Sequence, residues 1–318
     1  MNFEIDEQQR DFAASIDAAL GAADVPAAVR AWSAGDTAPG RKVWAQLADL
    51  GVTALLVAEK FDGIGASPVD LVVALERLGY WAVPGPVTES IAVAPILLAD
   101  DERSAHLAAG ELIATVAMPP QVPRAVDANT AGLILTAADG QVNAATPGAQ
   151  QESVDPARKL FEVTPSGTAQ PADTARAYEF GALAAAAQLI GAAQAMLDQS
   201  VEYAKQRTQF GRIIGSYQAI KHKLADVHIA VELARPLVYA AALSLADASP
   251  DTARDVSAAK VAAADAALLA ARSALQTHGA IGFTQEHDLS LLLLRVQALR
   301  SAWGDPTLHR RRLLEALP

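Results

Sequence analysis

The sequence contains no cysteine. That excludes a disulfide framework, a thiolate nucleophile and a thiolate zinc site, and it fits a reducing compartment. Aromatic residues are scarce, 5% of 318, although 52% of the chain is hydrophobic. Alanine carries much of that hydrophobic share and is the strongest helix former, so a mainly α-helical protein is expected. Basic residues are outnumbered, 25 against 36 acidic ones, for a formal net charge of −11. An acidic surface repels phosphate backbones, so nucleic acid is not an expected partner. The local run His309, Arg310, Arg311, Arg312 reads as cations closing a terminal helix. The first residues, Met1 to Asp6, show neither the basic stretch nor the apolar run of a signal peptide, which points to the cytoplasm.

One uncharged stretch, residues 180–197, has the length of a membrane span. Its content argues for another role. Ala and Gly dominate it and Gln188 and Gln194 interrupt it, so a helix buried among other helices is expected, without a membrane.

Helical periodicity covers residues 5–20 and 43–50. A turn at 61–68 follows, with Ser67 as N-cap and Pro68 at the first helical position of a helix over 69–78. A further helix is expected over 88–98. Between residues 110 and 172 the texture changes to short apolar runs, at 112–118, 133–136 and 160–164, divided by Pro, Gly, Asn and Asp. This predicts a small β-rich insert. Beyond Thr174 two long stripes predict helices of about 30 residues. One is Leu183, Ala187, Ile190, Gln194, Leu197 and Val201. The other runs from Ile220 through Leu224, Val227, Val231, Ala234, Val238 and Ala241 to Leu245. Pro236 should kink the second. An alanine-rich helix over 251–275 completes a bundle. The expected organisation is a helical domain over 1–110, a reduced β domain over 111–172 and a helical bundle over 173–318.

Common catalytic motifs are missing. Gly63-Ile64-Gly65 lacks the third glycine and the strand context of a dinucleotide fold, and no phosphate-binding loop or hydrolase elbow occurs. The six histidines are scattered, and Glu286-His287-Asp288 points adjacent side chains in different directions, so no metal site is expected. Two segments remain, 206–212 and 276–283. Each taken alone reads as a helix end stopped by glycine.

Taken in order, Tyr203-Ala-Lys-Gln-Arg-Thr-Gln-Phe-Gly211, then Gln218 to Asp226, then Gln276 to Phe283, resemble the C-terminal bundle of acyl-CoA dehydrogenases. Glu59 to Gly65, Asp70 and Glu76-Arg77-Leu78-Gly79 resemble that family's N-terminal turn and helix. The resemblance implies an FAD at a subunit interface. Its pyrophosphate and adenosine would be held by Arg207, Gln209, Phe210, Gln218, Gln276 and Gly279 of this chain. The residue types suit that role, since a guanidinium offers a fork of donors to pyrophosphate and glycine lets backbone approach closely. Ala280 stands where the family has a second glycine.

The sequence departs from the family at the base. The family's reaction removes an α-proton from an acyl-CoA with a carboxylate while the β-hydride goes to the flavin. The two positions at which members carry that carboxylate align here with Gly304 and Gly181. Asp305 and Glu179 lie nearby as possible substitutes, and each reads as a capping or surface acid. The family's flavin-handling stretch is reduced to Met118-Pro119-Pro120. The resemblance therefore narrows to the short subunits of α2β2 acyl-CoA dehydrogenases of actinobacterial sterol and steroid catabolism. A full-length partner subunit would supply base and flavin pocket for an acyl-CoA substrate, a steroid-derived ring fragment among the candidates. Two alternatives stay open: a self-sufficient homotetramer using Asp305 or Glu179, and a flavin-free scaffold.

Overall fold

The computed structural model describes residues 5–317. The N-terminal region holds α1 (Glu7–Ala22), α2 (Val25–Ser33), α3 (Ala38–Asp49), α4 (Pro68–Tyr80), α5 (Ala94–Leu97) and α6 (Arg103–Ala108). Asp6 caps α1 reciprocally with Gln9. Ser67 caps α4 reciprocally with Asp70, and Pro68 opens the helix as expected. The α2 helix lies in a stretch with no expected element; nine residues are too few to display a periodicity. The segment read as one helix over 88–98 is a π-helical turn, Thr88–Val93, running into α5.

The insert is a five-stranded sheet in the order β1-β3-β4-β5-β2. It comprises β1 (Ala114–Ala117), β2 (Ala125–Val126), β3 (Leu133–Ala138), β4 (Gln141–Gln151) and β5 (Leu160–Pro171). β1 pairs parallel to β3 with Val116 opposite Leu135, and the other pairings are antiparallel. The eleven-residue β4 was not expected. Its sequence is polar, its outer half is exposed, and Pro147-Gly148 lies at a break in its register with β5, so it carries no apolar alternation.

The third region contains α7 (Thr174–Gln206), α8 (Gln218–Ala246), α9 (Thr252–His278), α10 (Leu289–Ser301) and α11 (Pro306–Glu315). α7 is the central strut, packed against α4, α8, α9 and α10. An expected stripe turns out to be an all-round surface. Leu183, Ala187 and Ile190 are buried, and so are Ala184, Ala185 and Ala186 on the other faces. Small residues allow this: a Cβ on Gly191 would stand 1.8 Å from the Glu76 carbonyl oxygen, so α4 and α7 cross nearly backbone to backbone. Two helices, α7 and α8, are long and apolar enough to cross a membrane. The most apolar window of α7 is 94% buried inside the protein, that of α8 only 39%. α8 buries the expected stripe from Leu224 to Leu245 and exposes Ile229, Leu233 and Leu237 on its other side. The helix continues across Pro236.

Candidate functional site

The two segments singled out in the sequence meet at one end of the bundle. Arg207 is the first residue beyond α7, in extended conformation, its N–H donating to Tyr203 O. The chain then forms a miniature hairpin, β6 (Thr208–Gln209) and β7 (Arg212–Ile213). Its tip is Phe210-Gly211, both with positive φ, the conformation a two-residue hairpin turn requires. Gly211 is thus a hairpin glycine rather than a helix stop. Arg212 stacks its guanidinium on Tyr217, 4.0 Å from the ring centre, and the Tyr217 hydroxyl donates to Gln209 O, fixing the hairpin against Gln218 at the start of α8.

The end of α9 joins this surface through aromatic packing. The Tyr203 and His278 rings stack at 4.4 Å, and His287 meets His278 edge-on at 5.0 Å. Burial holds the His278 imidazole below its ordinary range. Gly279 ends α9 with φ +66°, and a Cβ there would meet nothing within 4 Å. Arg207, Gln209, Phe210, Gln218, Gln276 and Gly279 are all exposed at this end. Phe210 is 92% exposed and Phe283, nearby in the chain after Gly279, 75%. A free guanidinium, several amides, open backbone at Gly279 and uncovered aromatic rings fit a diphosphate-bearing nucleotide whose other half is held elsewhere.

The two glycine positions are both closed by packed side chains, Gly181 by the Trp303 indole and Gly304 by His309 and Tyr178. Trp303, between α10 and α11, is fully buried. A Cβ on Gly181 of α7 would stand 2.1 Å from its ring, and a Cβ on Gly304 would stand 2.5 Å from His309 Nε2 and 2.7 Å from the Tyr178 hydroxyl. Trp303 Nε1 donates to Glu89 Oε1 at 3.0 Å, and Trp303 O lies 2.9 Å from His309 Nε2 and accepts from Tyr178 at 3.2 Å. Burial drives the His309 pKa down to about 4. A neutral ring that donates through Nε2 and accepts from Ser257 at Nδ1 satisfies both nitrogens. One turn along α9, buried Lys260 donates to Leu299 O and Arg300 O, both at 3.0 Å, capping α10; burial first, then Arg300, lowers its pKa to about 7.

The two nearby acids have other partners. Asp305 accepts from Leu308 N at 2.7 Å as the N-cap of α11, one of the two roles expected for it. Glu179 is neither a capping nor a surface acid: it is largely buried and ion-paired with Arg312, because α11 folds back over the start of α7. Burial raises its pKa, opposed by Arg312. It lines a cavity of about 570 Å³ beside Met118, Pro119 and Pro120. The basic run lies on the terminal helix α11 as expected, with Arg312 in its last turn, and it also makes ion pairs. Arg310 pairs with Asp265 of α9 and Arg312 with Glu179, so these cations clamp α11 onto two other helices.

Sequence reasoning missed the buried ionic groups linking sheet and helices. Arg295 of α10 donates to Asp155 at 2.6 Å and to Val83 O at 2.8 Å, all deep in the protein. Glu89 and Arg158 lie 3.8 Å apart, and Asp127 accepts from Trp32 Nε1 and Lys159 N. Desolvation pushes the Asp127 pKa up to about 6. The one available signal was Glu89 standing alone ahead of an uncharged run that extends to Ala99.

A helical region, a small sheet and a bundle of long helices, with nucleotide-type groups bared at one bundle end, define the class of fold the sequence led to expect. The chain matches the family models described as acyl-CoA dehydrogenase N-terminal domain, over residues 6–102, and C-terminal domain, over residues 174–317. It is 33% identical over 296 residues to acyl-CoA dehydrogenase IpdE2 of Mycobacterium tuberculosis, covering 91% of this chain and 90% of that protein. Two solved structures share the fold. The ChsE4-ChsE5 complex from Mycobacterium tuberculosis superposes with a TM-score of 0.84 at 22% identity, over 100% of both chains. The Tcur3481-Tcur3483 steroid ACAD G363A variant gives 0.86 at 20% identity, over 97% of each. This chain belongs to the acyl-CoA dehydrogenase family, FAD-dependent oxidoreductases that act on the CH–CH bond of acyl-CoA thioesters.

Proposed function

We propose that this chain is the cofactor-donating, non-catalytic subunit of a flavin-dependent acyl-CoA dehydrogenase heterotetramer, α2β2 with a full-length partner. The observation that carries the reading is an asymmetry. Groups suited to a nucleotide are bared at the bundle end, whereas both base positions are glycines with no room for a side chain beside Trp303, His309 and Tyr178. In this arrangement Arg207 presents its fork of donors to the FAD pyrophosphate, Gly279 allows main chain to come close, and the Gln209, Gln218 and Gln276 amides orient the nucleotide. Phe210 covers it from water. The bound flavin supplies hydride acceptance, and the partner's carboxylate removes the α-proton of the acyl-CoA.

Two likenesses support a heteromer acting on a steroid-derived CoA thioester: the ChsE4-ChsE5 structure is a complex, and Tcur3481-Tcur3483 is a steroid ACAD. A self-sufficient homotetramer would need Asp305 or Glu179 as base, and these carboxylates are engaged with Leu308 N and Arg312. The test is co-expression with full-length partner candidates and measurement of FAD by absorbance. The complex is expected to carry two FAD per tetramer and this chain alone none. Stoichiometric flavin on the isolated chain would overturn the proposal, and a partner that keeps all its FAD when Arg207 is replaced by Ala would favour the flavin-free scaffold.

A further inference from the structure

The segment between α9 and α10, residues 279–288, runs over the outside of the bundle end. Gly282 is its one buried residue, His287 is half-buried, and the other eight are exposed. Its first half is packed: a Cβ on Gly282 would stand 3.2 Å from His278 Cβ and 3.3 Å from Leu275 and Leu289, so this turn lies close on the ends of both helices. Its second half bonds to its own neighbours, Thr284 N to Ile281 O and His287 N to Thr284 O. A stretch so exposed, with so few apolar contacts, opens readily unless something ties it down. Among the described residues, Arg30 is the one side chain from another part of the chain that hydrogen-bonds to residues 279–288.

Arg30 stands in the last turn of α2. Its Nη2 lies 2.7 Å from Asp288 Oδ1 and donates to Gln285 O at 3.2 Å and to Glu286 O at 3.5 Å. The helix beneath it is well seated, with Val25, Ala28, Val29 and Trp32 buried and Trp32 Nε1 bonded to Asp127. A guanidinium on a fixed helix thus holds acceptors on a segment 255 residues away. The tie adds little to the stability of the fold, because Arg30 is 38% and Asp288 51% exposed and ion pairs in water contribute little. What it fixes is geometry. Phe283 is joined directly to the tied residues, and Gly279 lies one short helical turn before it. A surface already in place binds a ligand without the entropic cost of ordering it on contact.

We propose that Arg30 is a positioning residue for cofactor binding: it pins residues 285–288 so that Gly279 and Phe283 stand ready for the nucleotide half of an FAD shared with the partner. The proposal rests on the cofactor-donating role proposed above.

The test is titration of the flavin-depleted complex with FAD, followed by flavin fluorescence. Arg30→Met is expected to raise the FAD dissociation constant about tenfold. The melting temperature of this chain should move by about 1 °C or less. Hydrogen exchange at the Thr284 and His287 amides of the chain alone should quicken by about tenfold. Arg30→Lys keeps a cation for Asp288 and should stay within about threefold of the parent. Two further variants separate positioning from the attraction of an anionic cofactor for any cation. Arg310→Met removes an exposed cation on α11 and should leave FAD binding unchanged. Asp288→Ala removes a negative charge, which by attraction alone would tighten FAD; loss of the tie should weaken it about threefold instead. Asp288 makes no side-chain cap bond to α10, so no cap is lost. Parental FAD affinity in Arg30→Met, or tighter binding in Asp288→Ala, would overturn the proposal. Arg207→Ala in the same series keeps the two readings apart. FAD weakened by Arg207→Ala but not by Arg30→Met sinks the positioning role alone, and FAD unchanged in both sinks the cofactor-donating role with it.

Discussion

Gly181→Ala tests the indole contact that closes the family's base position. In an open helix this change stabilises by about 1 kcal/mol through propensity alone. Here the new Cβ would stand 2.1 to 2.5 Å from three atoms of the Trp303 ring. Ordinary carbon contacts lie at about 3.5–4.0 Å, so ring or helix must withdraw by about 1.5 Å. The ring is not free to do so, since its Nε1 is bonded to Glu89 and its carbonyl to Tyr178 and His309. Overpacking of this severity costs about 3 kcal/mol, for a net loss of about 2 kcal/mol after the propensity gain. With an unfolding entropy of about 2.1 cal/mol/K per residue over 318 residues, the melting temperature should fall by about 3 °C. Trp303→Ala by itself should cost about 3–5 kcal/mol, but in that background Gly181→Ala should become stabilising by about 1 kcal/mol. Urea denaturation of the four proteins, followed by circular dichroism, reads the cycle. If Gly181→Ala has the same sign in both backgrounds, the packing argument is wrong. If it holds, Gly181→Glu cannot restore a catalytic base, because the carboxylate has no volume to enter.

Arg207→Ala should leave the melting temperature of this chain within about 1 °C, since the side chain is exposed, while lowering the FAD content of the complex with its partner; unchanged flavin absorbance would refute the role. Arg295→Met should destabilise by about 3–5 kcal/mol in chemical denaturation, because it leaves Asp155 buried without its cation; a loss under 1 kcal/mol would count against the pairing. Lys260 predicts a pH dependence. Its pKa falls from an unfolded value near 10.5 to about 7 in the folded chain, so between these limits the unfolded state binds more protons and stability rises with pH. Denaturation midpoints from pH 7 to pH 9 should climb, and Lys260→Met should remove most of the climb; an unchanged slope would show that the lysine stays charged.

Much of the fold was legible along the chain. The Ser67 cap with Pro68 at the first helical position, the long apolar stripe of α8 and the alanine-rich α9 are local signals that survive folding, because each depends on neighbours within a few residues. The elements that escaped are those without such a signal. The α2 helix is too short to show a period, β4 is polar and mostly exposed, and the Phe210-Gly211 turn looks locally like a helix end. The bundle-end residues were legible as motifs, but their assembly depends on the Tyr203–His278 stack, a contact between residues 75 positions apart.

By itself, then, the sequence determined the helical class, the order of the regions, the motifs at 206–212 and 276–283 and the lack of a carboxylate at positions 181 and 304. Those properties follow from residue type and short-range spacing. Only the tertiary structure decided that Trp303 closes the space against Gly181, that Glu179 is tied to Arg312, and that Arg30 reaches Asp288. Each of these joins residues from distant parts of the chain. Their energies come from burial and mutual approach, which no local pattern encodes.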